Sequence, residues 1–450
     1  MTHATTSPAQ RCTVDVVSGR VVAGDLPEGA RLRPGRLTLD RSAATTGDVY
    51  FRRRDGVVEL ADGLAALVPR ASLAELSVTA VLGMCLGARP APELTHLEKV
   101  FRAPPLSVVD VGDEGHLIRC DPHTLSRDGR RRPVRAAVVA LGEAVAAGMR
   151  ENAAVAVAGT ASRAVLRLAG PNANRLTAEV DAGGHDDLWP PLPDAQQAVV
   201  AALATAAARG VTGVVTGCHL RTLATVDADE LAALVGRRHR SVEPWQAHPD
   251  VSAEETDHSH DHDTPTADVP PWLTFPGKSR FFAAAAASAA AWKRFLPEDS
   301  GRVGRAVWTL TDPAHGRHHD MARALGVELT RPAAAPRAVS ALLALTPRQR
   351  GAVTAGRIES AALLERLADH PPPQPDGGQR ARTAAVAWVN RSHDAVTSFA
   401  TDGFLARAGL LDRAALIESL SNPFLTARHA LTLRRMVAVD RWLSTRPEHA

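Results

Sequence analysis

The chain of 450 residues is poor in cysteine, lysine and aromatic side chains, and each shortage closes off a class of function. Its four cysteines, Cys12, Cys85, Cys120 and Cys218, stand at no metal-ligand spacing, so neither a zinc module nor a disulfide framework is expected, and they read as small buried residues. Lysine occurs only at Lys99, Lys278 and Lys293, and aromatic residues make up 4% of the chain. The basic runs Arg52 to Arg54, Arg130 to Arg132 and Arg237 to Arg240 are separate and carry no interleaved aromatics, which points to solvated surface and away from a nucleic-acid track. No apolar run approaches the roughly 20 residues that a membrane span needs, since Ala283 to Ala291 is short and flanked by Arg280 and Lys293. The opening MTHATTSPAQR lacks a basic stretch followed by an apolar core, so no secretory signal is expected. A cytoplasmic protein with neither membrane nor nucleic acid as partner is the expectation.

What is present is an ordinary globular composition, 45% hydrophobic and 22% charged with a formal charge of +3, in a chain long enough for two or three domains. The first third has β character. Asp48 to Arg53 and Val57 to Leu60 flank Asp55-Gly56, the strongest short hairpin signal. Helical spacing follows at Leu64 to Val68 and Ser72 to Leu86, then a strand pair at Leu106 to Val111 and His116 to Cys120. The polar, basic run Ser126 to Arg132 reads as a linker. Beyond it strands and helices alternate: helix Val134 to Met149, strand Ala154 to Ala158, strand Leu176 to Val180, helix Asp194 to Ala208 and strand Val211 to Val215. That order predicts a parallel, doubly wound sheet with ligands at the carboxyl ends of its strands. After a polar insertion at 248–271 the remainder reads as helical, apart from a Pro/Gly-rich linker at 370–378.

The most informative segment is Asn152 to Gly170, NAAVAVAGTASRAVLRLAG: an apolar strand, a turn with one glycine and the start of a helix. This layout aims backbone N–H groups at a phosphate. Gly159, Thr160, Ser162 and Arg163 are the candidate nucleotide contacts on this turn, and Gly217, in the turn Thr216-Gly217-Cys218-His219 after the next predicted strand, is a fifth. A glycine is also what a tight strand-to-helix turn needs on steric grounds alone. Arg163, by contrast, lies in the first helical turn, at the positive end of the helix dipole, which points to a retained anion.

The turn stands where ATP pyrophosphatases of the asparagine-synthetase type carry Ser-Gly-Gly-x-Asp-Ser, and the chain resembles that family over nearly its whole length. The branch it is most similar to includes β-lactam synthetases and lasso-peptide macrolactam cyclases. DVYFRRRDGVVELADGLAALV resembles the paired strands that precede a helix in the family's glutaminase-like domain, and Thr95-x4-Val100-x-Arg102-x-Pro104-Pro105 resembles the segment joining the two halves. Gly326-Val327-Glu328-Leu329-Thr330-Arg331-Pro332 is similar to a G-v-x-v-x-x-P segment, and Leu405 to Asp412 with Leu433 to Leu443 is similar to the helical tail of the cyclase branch. The resemblance implies an α/β chain: a β-rich, glutaminase-like (Ntn-type) domain over 1–125, and at 133–450 a doubly wound, ATP-pyrophosphatase-like (adenine nucleotide alpha hydrolase) domain with a helical C-terminal tail. It implies adenylation of a small carboxylate or peptide with ATP and Mg²⁺, then amide or lactam formation in natural-product or modified-peptide biosynthesis.

The departures from the family pattern are as informative. Glutamine-using members expose an N-terminal cysteine nucleophile, whereas Cys12 is internal, so glutaminase activity is not expected. The two aspartates that hold Mg²⁺ in the family align with Ser162 and with Gly217 to Arg221, neither of them acidic, and the late lysine has no counterpart in Gln349 to Arg382. Catalytic residues therefore remain unassigned. Two readings follow: a divergent amide synthetase, or a pseudoenzyme that partners a peptide or an active synthetase paralogue. No metal site is assigned. The pair Cys218-His219 lacks further ligands at suitable spacing, and the His/Asp-rich segment 257–263 reads as a surface loop in preference to a zinc or nickel site. Lys278 and Arg280 resemble the place where family members position the acceptor substrate, but Gly277-Lys278-Ser279 lacks the upstream glycine and strand of a Walker loop, so no phosphate role is expected of it.

Overall fold

The computed structural model describes residues 11–41, 47–86, 89–122, 125, 133–157, 160–177, 194–226, 230, 269–296, 301–354, 357–359, 361–368 and 377–446. Nine strands form the N-terminal part: β1 (Arg11–Asp15), β2 (Arg20–Ala23), β3 (Ala30–Arg33), β4 (Arg36–Asp40), β5 (Val49–Arg54), β6 (Val57–Ala61), β7 (Val100–Ala103), β8 (Ser107–Gly112) and β9 (His116–Cys120). They build two antiparallel sheets, β2-β1-β6-β5-β7 and β3-β4-β8-β9. Period-two alternation sends Cys12 and Val14 of β1, and Leu37 and Leu39 of β4, into a shared core with Phe51, Leu60 and Val109. The Asp55-Gly56 hairpin forms as expected, with both residues at positive φ (47° and 80°) and Arg54 paired to Val57. Strands β1 to β4 stand outside the pattern recognised in the sequence. They are four or five residues long, and three of their bounding turns hold Gly19, Gly29 and Gly35 at positive φ. The helical run expected over Ser72 to Leu86 is interrupted. Ser72 and Glu75 close a capping box on a single 3-10 turn, and Ser77 then caps a new helix, α2 (Val78–Cys85), after α1 (Leu64–Leu67).

The next part is a parallel sheet with strand order β11-β10-β12-β13, formed by β10 (Ala153–Ala156), β11 (Asn174–Leu176), β12 (Gly213–Val215) and β13 (Glu328–Thr330). Helices α3 (Pro133–Gly148) and α4 (Thr160–Ala169) cover one face, where Leu141, Val145 and Val165 meet Val155 and Val215. On the other face, α5 (Asp194–Ala208) and the helix Ala314–Ala324 bring Leu203, Ala206 and Ala322 against Ala154 and Val214. The sheet is thus wound on both sides, and the order reverses between β10 and β12, which puts the crevice at their carboxyl ends. The strands are shorter than expected from the sequence: Ala153–Ala156 ends before Ala158, and Asn174–Leu176 stands where Leu176 to Val180 was expected, with 178–180 outside the described residues. β13 and the hairpin Ala352–Thr354/Arg357–Glu359 interrupt what reads as an all-helical remainder.

The C-terminal helices, among them Phe275–Phe295, Gly377–Arg391 and Pro423–Ser444, share a core in which Phe281, Ala385, Leu433 and Met436 pack with Leu64 of α1 and Leu82 of α2. The expected linker at 370–378 is corrected at its end, since Gly377 and Gly378 open a helix, and its first part lies outside the described residues. The 126–132 linker and most of 248–271, with the whole His/Asp-rich segment, also lie outside them. Among the described residues no helix is long and apolar enough to cross a membrane.

Candidate functional site

Three chain segments leave the carboxyl ends of the parallel sheet next to one another: the β10–α4 turn, the β12 turn Thr216 to His219, and Arg331 after β13. Of the sequence-derived contacts, Gly159 lies outside the described residues. Thr160 and Arg163 are half-buried in the first turn of α4, and Ser162 is buried. Gly217 is brought directly onto that turn. A Cβ placed on it would stand 2.5 Å from the Ser162 amide nitrogen and 2.6 Å from the carbonyl carbon of Ala161. The gap between Gly217 and the Ser162 amide therefore rejects even a methyl group. Glycine here serves close backbone approach.

Beyond Gly217 the chain must swing from the strand into the helix α6 (Leu220–Ala224). His219 makes that swing in the left-handed region at φ 68°, and its carbonyl accepts the Leu223 N–H at 3.0 Å. A branched-free but bulky residue there carries about 1–2 kcal/mol of backbone strain. Its imidazole is buried at 8% exposure and meets His315 edge-on, with ring centroids 4.0 Å apart. His315, His318 and His319 come from the first two turns of the helix Ala314–Ala324, and the His319 Nε2 contacts the Arg331 guanidinium. Burial, then the Arg331 charge, holds His219 far below the usual imidazole range; burial also depresses His315 and His319, so all three rings are neutral near pH 7. Burial raises the Cys218 thiol, which keeps it protonated.

The same helix ties this corner to the antiparallel sandwich. Gly316 lies so close to Tyr50 that a Cβ would fall 2.0 Å from the Tyr50 hydroxyl, Asp320 accepts the Leu64 N–H at 3.1 Å, and Arg323 is bidentate to Asp62 at 2.9 and 3.2 Å. Arg102 of β7 crosses the seam as well. Its guanidinium pairs with Asp48 at 2.9 Å, donates to the Pro92 carbonyl at 2.7 Å and reaches the Thr311 carbonyl. Arg89 packs its guanidinium on both rings of the touching pair Trp292 and Trp308, 4.6 and 4.2 Å from their centroids, and burial lowers its pKa to about 10. Among the described residues no three His, Cys, Asp or Glu side chains converge on a metal position.

The other expected residues lie elsewhere. Cys12 is 1% exposed inside the sandwich, where burial raises its thiol pKa, so it is a packing residue. Cys85 is buried, Cys120 and Cys218 are half-buried, and all four cysteines are free. Lys278 and Arg280 occupy the first turns of the helix Phe275–Phe295, capped by Thr274. Where the family's late lysine was sought, Arg350 is 2% exposed and bonded to the Thr225 carbonyl and Glu230. The residues that the sequence reading passed over are His315, His319 and Arg89. The run His315-Gly-Arg-His318-His319-Asp320 was the available signal, three imidazoles within two helical turns. No protein-family model matches the chain, and no curated protein matches it.

Proposed function

We propose that the chain is an asparagine-synthetase-like protein that has lost ATP-dependent carboxylate adenylation and amide or lactam formation, and that it now acts as a non-catalytic partner of a peptide or of an active synthetase. The observation that carries this reading is the close approach of Gly217 to the Ser162 amide, which brings together two turns neither of which carries a carboxylate. The replaced carboxylates at Ser162 and at Gly217 to Arg221 agree with it: a triphosphate brings charge that needs Mg²⁺, and neither turn offers an acidic ligand. Support also comes from the wound parallel sheet and from the seam it shares with an antiparallel sandwich, an arrangement compatible with the family resemblance.

The test is pyrophosphate release from purified protein supplied with ATP, Mg²⁺ and candidate carboxylates. Release at background rate is expected. Turnover of about 1 per second, ordinary for an enzyme, overturns the reading in favour of a divergent synthetase with ATP and Mg²⁺ as its cofactors.

A further inference from the structure

The corner at the carboxyl ends of β12 and β13 buries more hydrogen-bonding capacity than the protein satisfies. The Nε2 of His219, the Nδ1 of His315, and the Nε and Nη2 of Arg89 are all shut off from solvent, and none has a hydrogen-bond partner among the described residues. These groups belong to one neighbourhood. The two imidazoles touch, and both feel the charges of Arg89 and Arg331. A buried polar group without a partner costs about 1–3 kcal/mol, more when charged, so several such groups in one corner call for something that binds them together.

Charge states what that something is. The carboxylates acting on Arg89 and Arg331 are the same two, Asp48 and Asp312, and Asp48 is already bridged to Arg102. The corner is left with an excess of positive charge. A guanidinium presents only N–H groups, and a neutral imidazole donates from whichever ring nitrogen carries its proton, so a tautomer with the proton on the open nitrogen makes each open atom a donor. We infer that Arg89, His219, His315 and Arg331 form a binding site for a small oxyanion, a phosphate or carboxylate group, at the seam between the sandwich and the parallel sheet. The site is separate from the α4 turn, and it does not depend on whether ATP is turned over.

The tryptophan pair against which Arg89 packs gives a direct readout. Full-length protein is titrated with sodium phosphate and, separately, with sodium acetate at constant ionic strength, and both melting temperature and tryptophan emission are followed. A saturable change in both signals is expected, and the more effective anion identifies the phosphate or carboxylate class. Two variants locate the site. His219→Gly removes one ring nitrogen from the corner, and relief of the left-handed backbone offsets part of the cost of the cavity it leaves. Arg89→Met removes the cation while keeping an apolar contact to the tryptophans. Each folded variant should bind about tenfold more weakly, as expected for loss of a hydrogen bond to a charged group. No response to either anion at millimolar concentration overturns the inference. So does unchanged affinity in either folded variant, which would place the anion elsewhere.

Discussion

The antiparallel sandwich and the parallel sheet treat buried polarity in opposite ways. Between the two antiparallel sheets the core is apolar, and charge is kept outside: Glu59 lies between Arg11 and Arg52 on an outer face, and Asp110 receives Arg36 and Thr38. At the carboxyl ends of the parallel sheet the interior itself holds Thr216, His219, Arg317, His318 and Arg331. A sheet closed against a second sheet gains nothing from interior charge, since desolvation exceeds the return. Buried charge at strand ends is different, because those ends are where an α/β sheet receives ligands. The sandwich is read as framework and the strand-end corner as the site.

The sharpest way to break that division is to compare an ion pair at the seam with one on the sandwich exterior. Arg102 and Asp48 are 1% and 3% exposed, and Arg102→Met leaves the Asp48 carboxylate buried without its cation. Removing one partner of such a pair costs about 3–5 kcal/mol. Glu59→Gln, on the half-buried outer face, leaves an amide oxygen that still accepts from its arginine partners and should cost less, about 1 kcal/mol. Urea denaturation of both variants measures the contrast. Equal losses would mean that the seam is no more tightly packed than the sandwich's outer face.

How much of this was legible in the sequence differs between the same two regions. The Asp55-Gly56 turn announces its hairpin because only a few residues tolerate two successive positive φ values, and Asp194–Ala208 is a helix from end to end as its spacing predicts. Strands β1 to β4 were illegible, since β1 and β4 carry their two-residue alternation on only two buried side chains each, and β2 and β3 bury none. The candidate site was half legible. Gly217 was singled out as a phosphate contact on its turn, and the fold adds what no local sequence shows, that it faces the Ser162 amide. His219 was weighed as a metal ligand and set aside, while its partner His315 is 96 positions away in the chain and meets it only because the helix Ala314–Ala324 packs beside β13. No local spacing encodes that meeting.

Acid titration sharpens the comparison at intermediate size. His219, His315 and His319 have folded-state pKa values depressed below the ordinary 6.5, chiefly by burial. Below pH 6.5 the unfolded chain binds protons that the folded corner refuses, so the stability these rings contribute is present above that pH and is lost as pH falls toward their folded values. Each ring adds a slope approaching about 1.4 kcal/mol per pH unit. Thermal melts between pH 7.5 and 5.5 should show the loss, and His219→Gly should flatten it by one ring's share. Phosphate should make the loss smaller, because an anion at the corner favours the imidazolium and brings the folded-state pKa back toward the unfolded value. A stability profile that stays level through this range would place the three rings in contact with water.

The smallest expected effect falls on the residue that the sequence made most conspicuous. Arg163 is half-buried in the first turn of α4, where its charge opposes the helix dipole, an unfavourable interaction of roughly 0.3–1 kcal/mol. Alanine removes the repulsion and has the higher helix propensity, so Arg163→Ala should leave the melting temperature unchanged or slightly raised. If the anion site lies at the His219 corner, the response of this variant to phosphate should equal that of the parent. Should the response instead vanish with Arg163 and persist in His219→Gly, the anion is held at the α4 turn. The strand-end corner would then be framework like the sandwich, with its buried imidazoles serving packing alone.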